Sequence, residues 1–131
     1  MSQENVSVNR VQAWFEAFND DADAFRDTLH PEIVWFPFED NHSPSRGIDG
    51  AMQIRRHWLD SWSDQEVELE GLVGDGDNVV VTAHITTRGR GSGVEVDTRL
   101  HFHFGLRDGK VVHIYEHLNR AEALEAAGLL E

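Results

Sequence analysis

Glu116 stands in the row Val112, Ile114, Glu116, Leu118, where every other member is apolar. Residues two apart on a strand share a face, so this spacing places a carboxyl group among apolar side chains. A charge in such a row is costly without a partner. Two arrangements would keep it there. One is a general acid or base whose pKa is raised by lost hydration. The other is a structural carboxylate paired with an arginine or hydrogen-bonded to a helix. A second group able to move protons is the stretch Glu39, Asp40, His42, within the loop FEDNHSPSRG at positions 38–47. A histidine beside acids titrates near neutral pH, although the same residues also suit a solvated acidic loop. His101 and His103 form an H-x-H pair, and with Glu116 they suggest a metal site. The chain after His103 runs into the Asp108-Gly109 turn and holds too few strands for a double-sheet barrel, so no metal and no other cofactor is expected.

Walls for such a site are present. Nine of the twelve aromatic residues lie before position 63, including all four tryptophans. Tryptophan is usually packing material, but so uneven a distribution also suits an aromatic-lined cavity. Trp14, Phe18, Trp35, Phe36 and Trp58, with Ile114, are the expected ligand contacts.

The elements that must position these groups follow from hydrophobic period and breakers. Val11, Trp14, Phe15 and Phe18 make a helical stripe over 6–19. A short second helix carries Ala22, Phe25 and Leu29 on one face and ends before Pro31. Residues 33–36 read as a strand, and 48–62 as a third helix with Ala51, Ile54, Trp58 and Trp62 on its buried face. After position 64 the period becomes alternating. Strands follow at 65–73, 78–88, 94–106 and 110–118, joined by short glycine turns, with Asp108-Gly109 as a tight hairpin. Asn119 and Gly128 bracket a tail helix, with Glu122 at the capping-box position. If Val79, Val81, Ala83 and Ile85 face inward, His84 faces outward, and a bulge would reverse this.

This order is α+β, as one domain spanning 1–131: a cone-shaped α+β barrel, its curved, mostly antiparallel sheet carrying three helices of the N-terminal half on the concave face, plus a short C-terminal helix. The mouth of the cone is a natural small-molecule pocket. The chain has 131 residues, no cysteine and a net charge of −13. That length supports a core without staples, and lack of cysteine removes disulfides, thiolate metal sites and a cysteine nucleophile. The acidic balance argues against nucleic acid and anionic membrane surfaces as partners. No apolar run approaches a membrane span, and MSQENVSVNR lacks a signal pattern, so a cytoplasmic location is expected.

The element order, the RGIDGAMQIRRHW stretch and the ending FHFGLRDGKVVHIYEHLNRAEALEAAGLLE resemble SnoaL-like proteins. These belong to the nuclear-transport-factor-2-like, or cystatin-like, group, with ketosteroid isomerase, limonene epoxide hydrolase and polyketide cyclases. The resemblance covers nearly the whole chain and specifies fold more than reaction. Where ketosteroid isomerase has a carboxylate base before a proline, this chain has Phe36 before Pro37. Leu100 stands at the oxyanion-hole acid, ahead of the His101-Phe102-His103-Phe104 run, and Trp14 stands at the phenolic donor of helix one. The W-x-D motif of limonene epoxide hydrolase falls on Ile114-Tyr115-Glu116, which leaves Glu116 as the acid in a matching position. The resemblance implies a small apolar ligand and cofactor-free isomerase, cyclase or hydrolase chemistry centred on Glu116, to which His42 and Asp40, read from the loop itself, would add as proton handlers. A non-catalytic ligand-binding or scaffold module of the same fold is the alternative. It also implies a homodimer through the outer sheet face, where His101, His103, His113, Tyr115 and His117 would gather.

Overall fold

The computed structural model describes residues 3–37 and 44–128. Among the described residues there are four helices and six strands: α1 Gln3–Asp20, α2 Ala22–Asp27, β1 Leu29–Phe36, β2 Ser45–Arg46, α3 Gly47–Ser61, β3 Trp62–Asp75, β4 Asn78–Gly89, β5 Glu95–Arg107, β6 Lys110–His117 and α4 Arg120–Ala127. The strands form one open, curved sheet in the order β2-β1-β6-β5-β4-β3. The four long strands β3 to β6 are an antiparallel meander, as short turns require. β1 joins the far edge parallel to β6, because its return connection runs through α3.

Alternation on β4 and β5 divides the two faces. Val79, Val81, Ala83 and Ile85 face the helices with Leu100, Phe102 and Phe104, and all are buried. Val11, Trp14 and Phe25 from α1 and α2 close over them. His84 consequently faces out, where it meets Asp97 at 3.5 Å. α4 packs on β4, β5 and β6, and its buried Ala123 lies outside the main core cluster. Asn119 caps α4 by accepting from the N–H groups of Ala121 (2.8 Å) and Glu122 (3.3 Å), and Gly128 ends it at φ 74°.

The stretch 38–47, expected as a loop, ends in the short strand β2 (Ser45–Arg46) and the first residue of α3, and three further features differ from the sequence expectation. α2 stops at Asp27, where Thr28 caps it, and Leu29 opens β1 instead of extending the helix. Leu29 still reaches the core, so its burial is satisfied by the strand. Trp62 leaves α3 with extended angles (φ −126°, ψ 143°) and begins β3. The third difference is in β6. Gly105 pairs with His113 but Leu106 pairs with Val111, so Val112 is an extra residue on the bulged strand. The bulge reverses the phase before Ile114: Val111 is buried in place of Val112. Leu118 falls beyond the strand and is exposed, so Glu116 is the last inward position of β6.

Candidate functional site

Between the concave sheet face, α1 and α3 lies a cavity of about 470 Å³. Trp14, Phe15 and Phe18 of α1 line one wall, Trp58 and Trp62 another, and Val67, Ile85, Leu100 and Phe102 the sheet floor. Trp14 anchors its wall to the core rings behind it. It lies 5.5 Å from Trp35 and 5.1 Å from Phe104 edge-on, and 5.3 Å from Phe25 in a tilted contact, between centroids. Such contacts fix ring orientation beyond what area burial alone provides. Arg55 ties α3 to α1 by donating from Nε to the Phe18 carbonyl at 2.7 Å. Arg90 ties the β4–β5 hairpin to the end of α3 through the carbonyls of Asp60 (2.9 Å) and Trp62 (2.8 Å). These bonds hold the walls at a set distance.

Glu116 enters this cavity, half-buried. The parallel pairing Trp35↔Ile114 brings Trp35 and Glu116 to the same side of neighbouring strands. Trp35 Nε1 donates to Glu116 Oε2 at 2.5 Å. The indole N–H therefore fixes one carboxyl oxygen. Among the described residues Glu116 is the one carboxylate lining the cavity. Asp40 and His42 lie outside the described residues, so the structure does not place them relative to Glu116.

A second polar group sits on the same face towards the opposite edge of the sheet, on β3. Trp58 Nε1 donates to Gln65 Oε1, and Gln65 Nε2 donates to Asn19 Oδ1 at 2.6 Å. All three residues line the cavity. Sequence reasoning did not find Gln65: a glutamine opening an alternating strand looks the same whether it faces solvent or a pocket. Trp62 also lines the cavity, reached from β3 and not from the helix.

Trp14, Phe18, Trp35 and Trp58 stand on the cavity wall. Phe36 does not. It points to the other face, stacked on Tyr115 at 4.6 Å and 10°, because β1 alternates and Trp35 holds the inward position. Ile114 is fully buried in the core and is absent from the cavity wall.

The outer face carries the histidines. His103 is 5% exposed, and its Nε2 pairs with Asn78 Oδ1 at 2.9 Å. Desolvation, followed by the neighbouring His113 and His117, pushes its pKa down to about 4. Burial likewise lowers His113, with Arg107 adding to the shift. Burial lowers His101, with Arg120 and His117 adding to it. His101 Nδ1 is 2.8 Å from Thr82 Oγ1. His101 and His103 thus engage separate partners. Among the described residues no group of three His, Asp or Glu side chains is placed to hold a metal ion.

An open α+β cone with an aromatic cavity and a carboxylate on its last inward strand position defines a small-molecule pocket fold. The chain belongs to the SnoaL-like domain family, whose model matches residues 11–114. Comparison with curated proteins finds no match. Among solved structures, the chain is similar to a candidate SnoaL-like polyketide cyclase from Jannaschia sp. CCS1. That likeness has 25% identity and a TM-score of 0.80, over 100% of this chain and 96% of the other. It is also similar in fold to TerC co-crystallised with polyporic acid (17%, TM-score 0.75, 93% and 97% coverage). A third is a protein of ketosteroid isomerase-like fold from Catenulispora acidiphila DSM 44928, in complex with trimethylamine (13%, TM-score 0.74, 92% of each chain).

Proposed function

We propose that this protein is an acid–base enzyme acting on a small, largely apolar carbonyl compound, in the manner of an isomerase or cyclase. The observation that carries the reading is Glu116 on the wall of an aromatic cavity, with one oxygen fixed by Trp35. A carboxylate so placed removes a proton from carbon next to a carbonyl, the electron pair moves to the carbonyl oxygen, and the carboxylic acid returns the proton elsewhere on the molecule. The cavity volume falls within the range of small-molecule sites. Proteins of the same fold hold polyporic acid and trimethylamine, which supports a small-molecule ligand here. Asp40 and His42, in the sequence between β1 and β2, are proposed as supporting proton carriers. The pocket floor and walls leave room for rings, and Trp14, Phe18, Trp35 and Trp58 would hold them.

A non-catalytic binding module is favoured by one observation, the single carboxylate among the described lining residues. One experiment separates the two. Wild type and Glu116→Gln are incubated with β-tetralone in D₂O and exchange at the activated methylene is followed by NMR. The enzyme reading expects wild type to accelerate exchange and Glu116→Gln to lose at least about 100-fold of that acceleration, with binding of the ketone retained. Binding without any acceleration by wild type would establish the module instead.

A homodimer in the cytoplasm completes the proposal. Its interface would use the outer-face rings that α4 leaves open, chiefly Phe36, His113 and Tyr115. Rings with a polar edge suit interfaces. Light scattering at micromolar concentration and neutral pH should give twice the chain mass, and a monomer would refute the dimer.

A further inference from the structure

We propose that the cavity reads a hydroxyl group at the far end of its ligand, and that Gln65 is the residue that reads it. The inference rests on the cavity being a ligand site, as proposed above, but not on any chemistry at Glu116.

Glu116 belongs to β6 and Gln65 to β3, with β5 and β4 between them. Three spacings of roughly 4.8 Å give about 14 Å across the strands, and the register adds six positions along them, since Glu116 aligns through Phe102 with Val81 of β4 and Gln65 aligns with Thr87. The surface between them is apolar, formed by Phe102, Leu100, Ile85 and Val67. The sheet floor of the cavity therefore has a polar group at each end and an apolar middle, while Gln53, His57 and Ser61 of α3 add polar groups to the facing wall. A ligand that fills it is elongated.

The Gln65 end is oriented. An indole N–H only donates, so the bond from Trp58 requires the amide oxygen of Gln65 to face Trp58. The amide nitrogen then faces Asn19 and donates to it. These two bonds use one lone pair of Oε1 and one hydrogen of Nε2. One acceptor site and one donor site remain on an amide that cannot turn over without breaking both bonds. A hydroxyl supplies the complement to each, since it donates once and accepts as well. An ether or ketone oxygen satisfies only the N–H. A carboxylate is disfavoured in a chain of net charge −13 whose cavity already holds Glu116. The ligand class is thus a neutral, elongated, ring-bearing compound with a hydroxyl at the end that meets Gln65.

The test uses three probes: β-acetonaphthone, and its derivatives with a hydroxyl or a methoxyl at the far end of the second ring. Isothermal titration measures their binding to wild type, Gln65→Leu and Asn19→Ala. Wild type is expected to bind the hydroxyl probe about tenfold more tightly than the unsubstituted one, with the methoxyl probe between them. Gln65→Leu should bring the hydroxyl and unsubstituted probes within about twofold of each other while still binding the latter. Asn19 is exposed, so Asn19→Ala keeps the fold if Gln65→Leu does not. By releasing the amide it should cut the preference about two- to threefold. Equal binding of hydroxyl and unsubstituted probes by wild type overturns the proposal. So does a preference that survives Gln65→Leu, or failure of all three probes to bind. A hydroxyl preference in a protein that shows no deuterium exchange would remove only the acid–base reading of Glu116.

Discussion

The two faces of the central sheet use the same strands for opposite ends. On β5, Leu100, Phe102 and Phe104 point to the helices, and His101 and His103 point away. The inner face is apolar, yet it surrounds open volume and keeps Glu116 and Gln65 at its margins. The outer face is rich in titratable rings; it packs His103 against His113, while Phe36, His113 and Tyr115 border a second, more polar hollow with Glu32, Arg46 and Arg107. The His113 ring lies so close over Gly105 that a Cβ there would come within 2.0 Å of it. Polar groups bordering apolar space are the mark of a site. Polar groups packed ring on ring, as with His103 and His113 at 5.0 Å, are the mark of a sheet surface closed against water.

Breaking the inner face should have the largest effect. Phe104 is fully buried against Trp14, Phe15 and Phe102. Phe104→Ala should cost about 3–5 kcal/mol, read from urea unfolding at neutral pH.

Acid should break the outer face next. His103 is neutral in the fold, and its pKa of about 4 lies below the unfolded value of 6.5. The unfolded chain therefore binds the proton first as pH falls. The stabilising contribution is fully present above pH 6.5 and is lost progressively between 6.5 and about 4. Its full size is on the order of 3 kcal/mol. The downward shifts of His101 and His113 act in the same direction. Denaturant midpoints measured across this window should fall steadily, and more shallowly in His103→Gln.

Gly105→Ala should follow at about 1–3 kcal/mol, since the His113 ring must move or the strand must shift. His113→Ala in the same chain should recover most of that loss. Asn119→Ala, which removes the side-chain cap of α4, should cost about 1 kcal/mol. A thermal melt would resolve it, with the cavity unaffected.

Much of this division was legible in the sequence. The helical stripe of α1, the meander and its turns, the caps of α4 and the outward His84 all follow from period and breakers. Glu116 was found because one acid interrupts an apolar row. That argument placed Glu116 on the inward side, where the structure has it, through a wrong phase upstream. The row began at Val112, which the bulge places outside, and only Ile114 and Glu116 keep the inward side. A bulge made of two valines leaves no trace in composition. Trp35 and Phe36 could not be told apart, since adjacent aromatic residues on a strand take opposite faces and either phase buries one. The parallel pairing with β6 decides it. Gln65 could not be seen at all, because its role depends on Trp58 and Asn19, which come from two helices that only the fold brings together.

The central claim is that the inner face is the ligand site and the outer face is packing. All four tryptophans line the cavity, and the buried histidines stand across the sheet from it, so nitrogen-15 NMR can watch both faces at once. Titration with β-acetonaphthone should shift the indole N–H signals of Trp14, Trp35, Trp58 and Trp62 saturably, and Glu116→Gln should displace the Trp35 signal even before ligand is added. The ring signals of His103 and His113 should stay in place throughout. Histidine signals that move while the four indoles remain still would contradict the account.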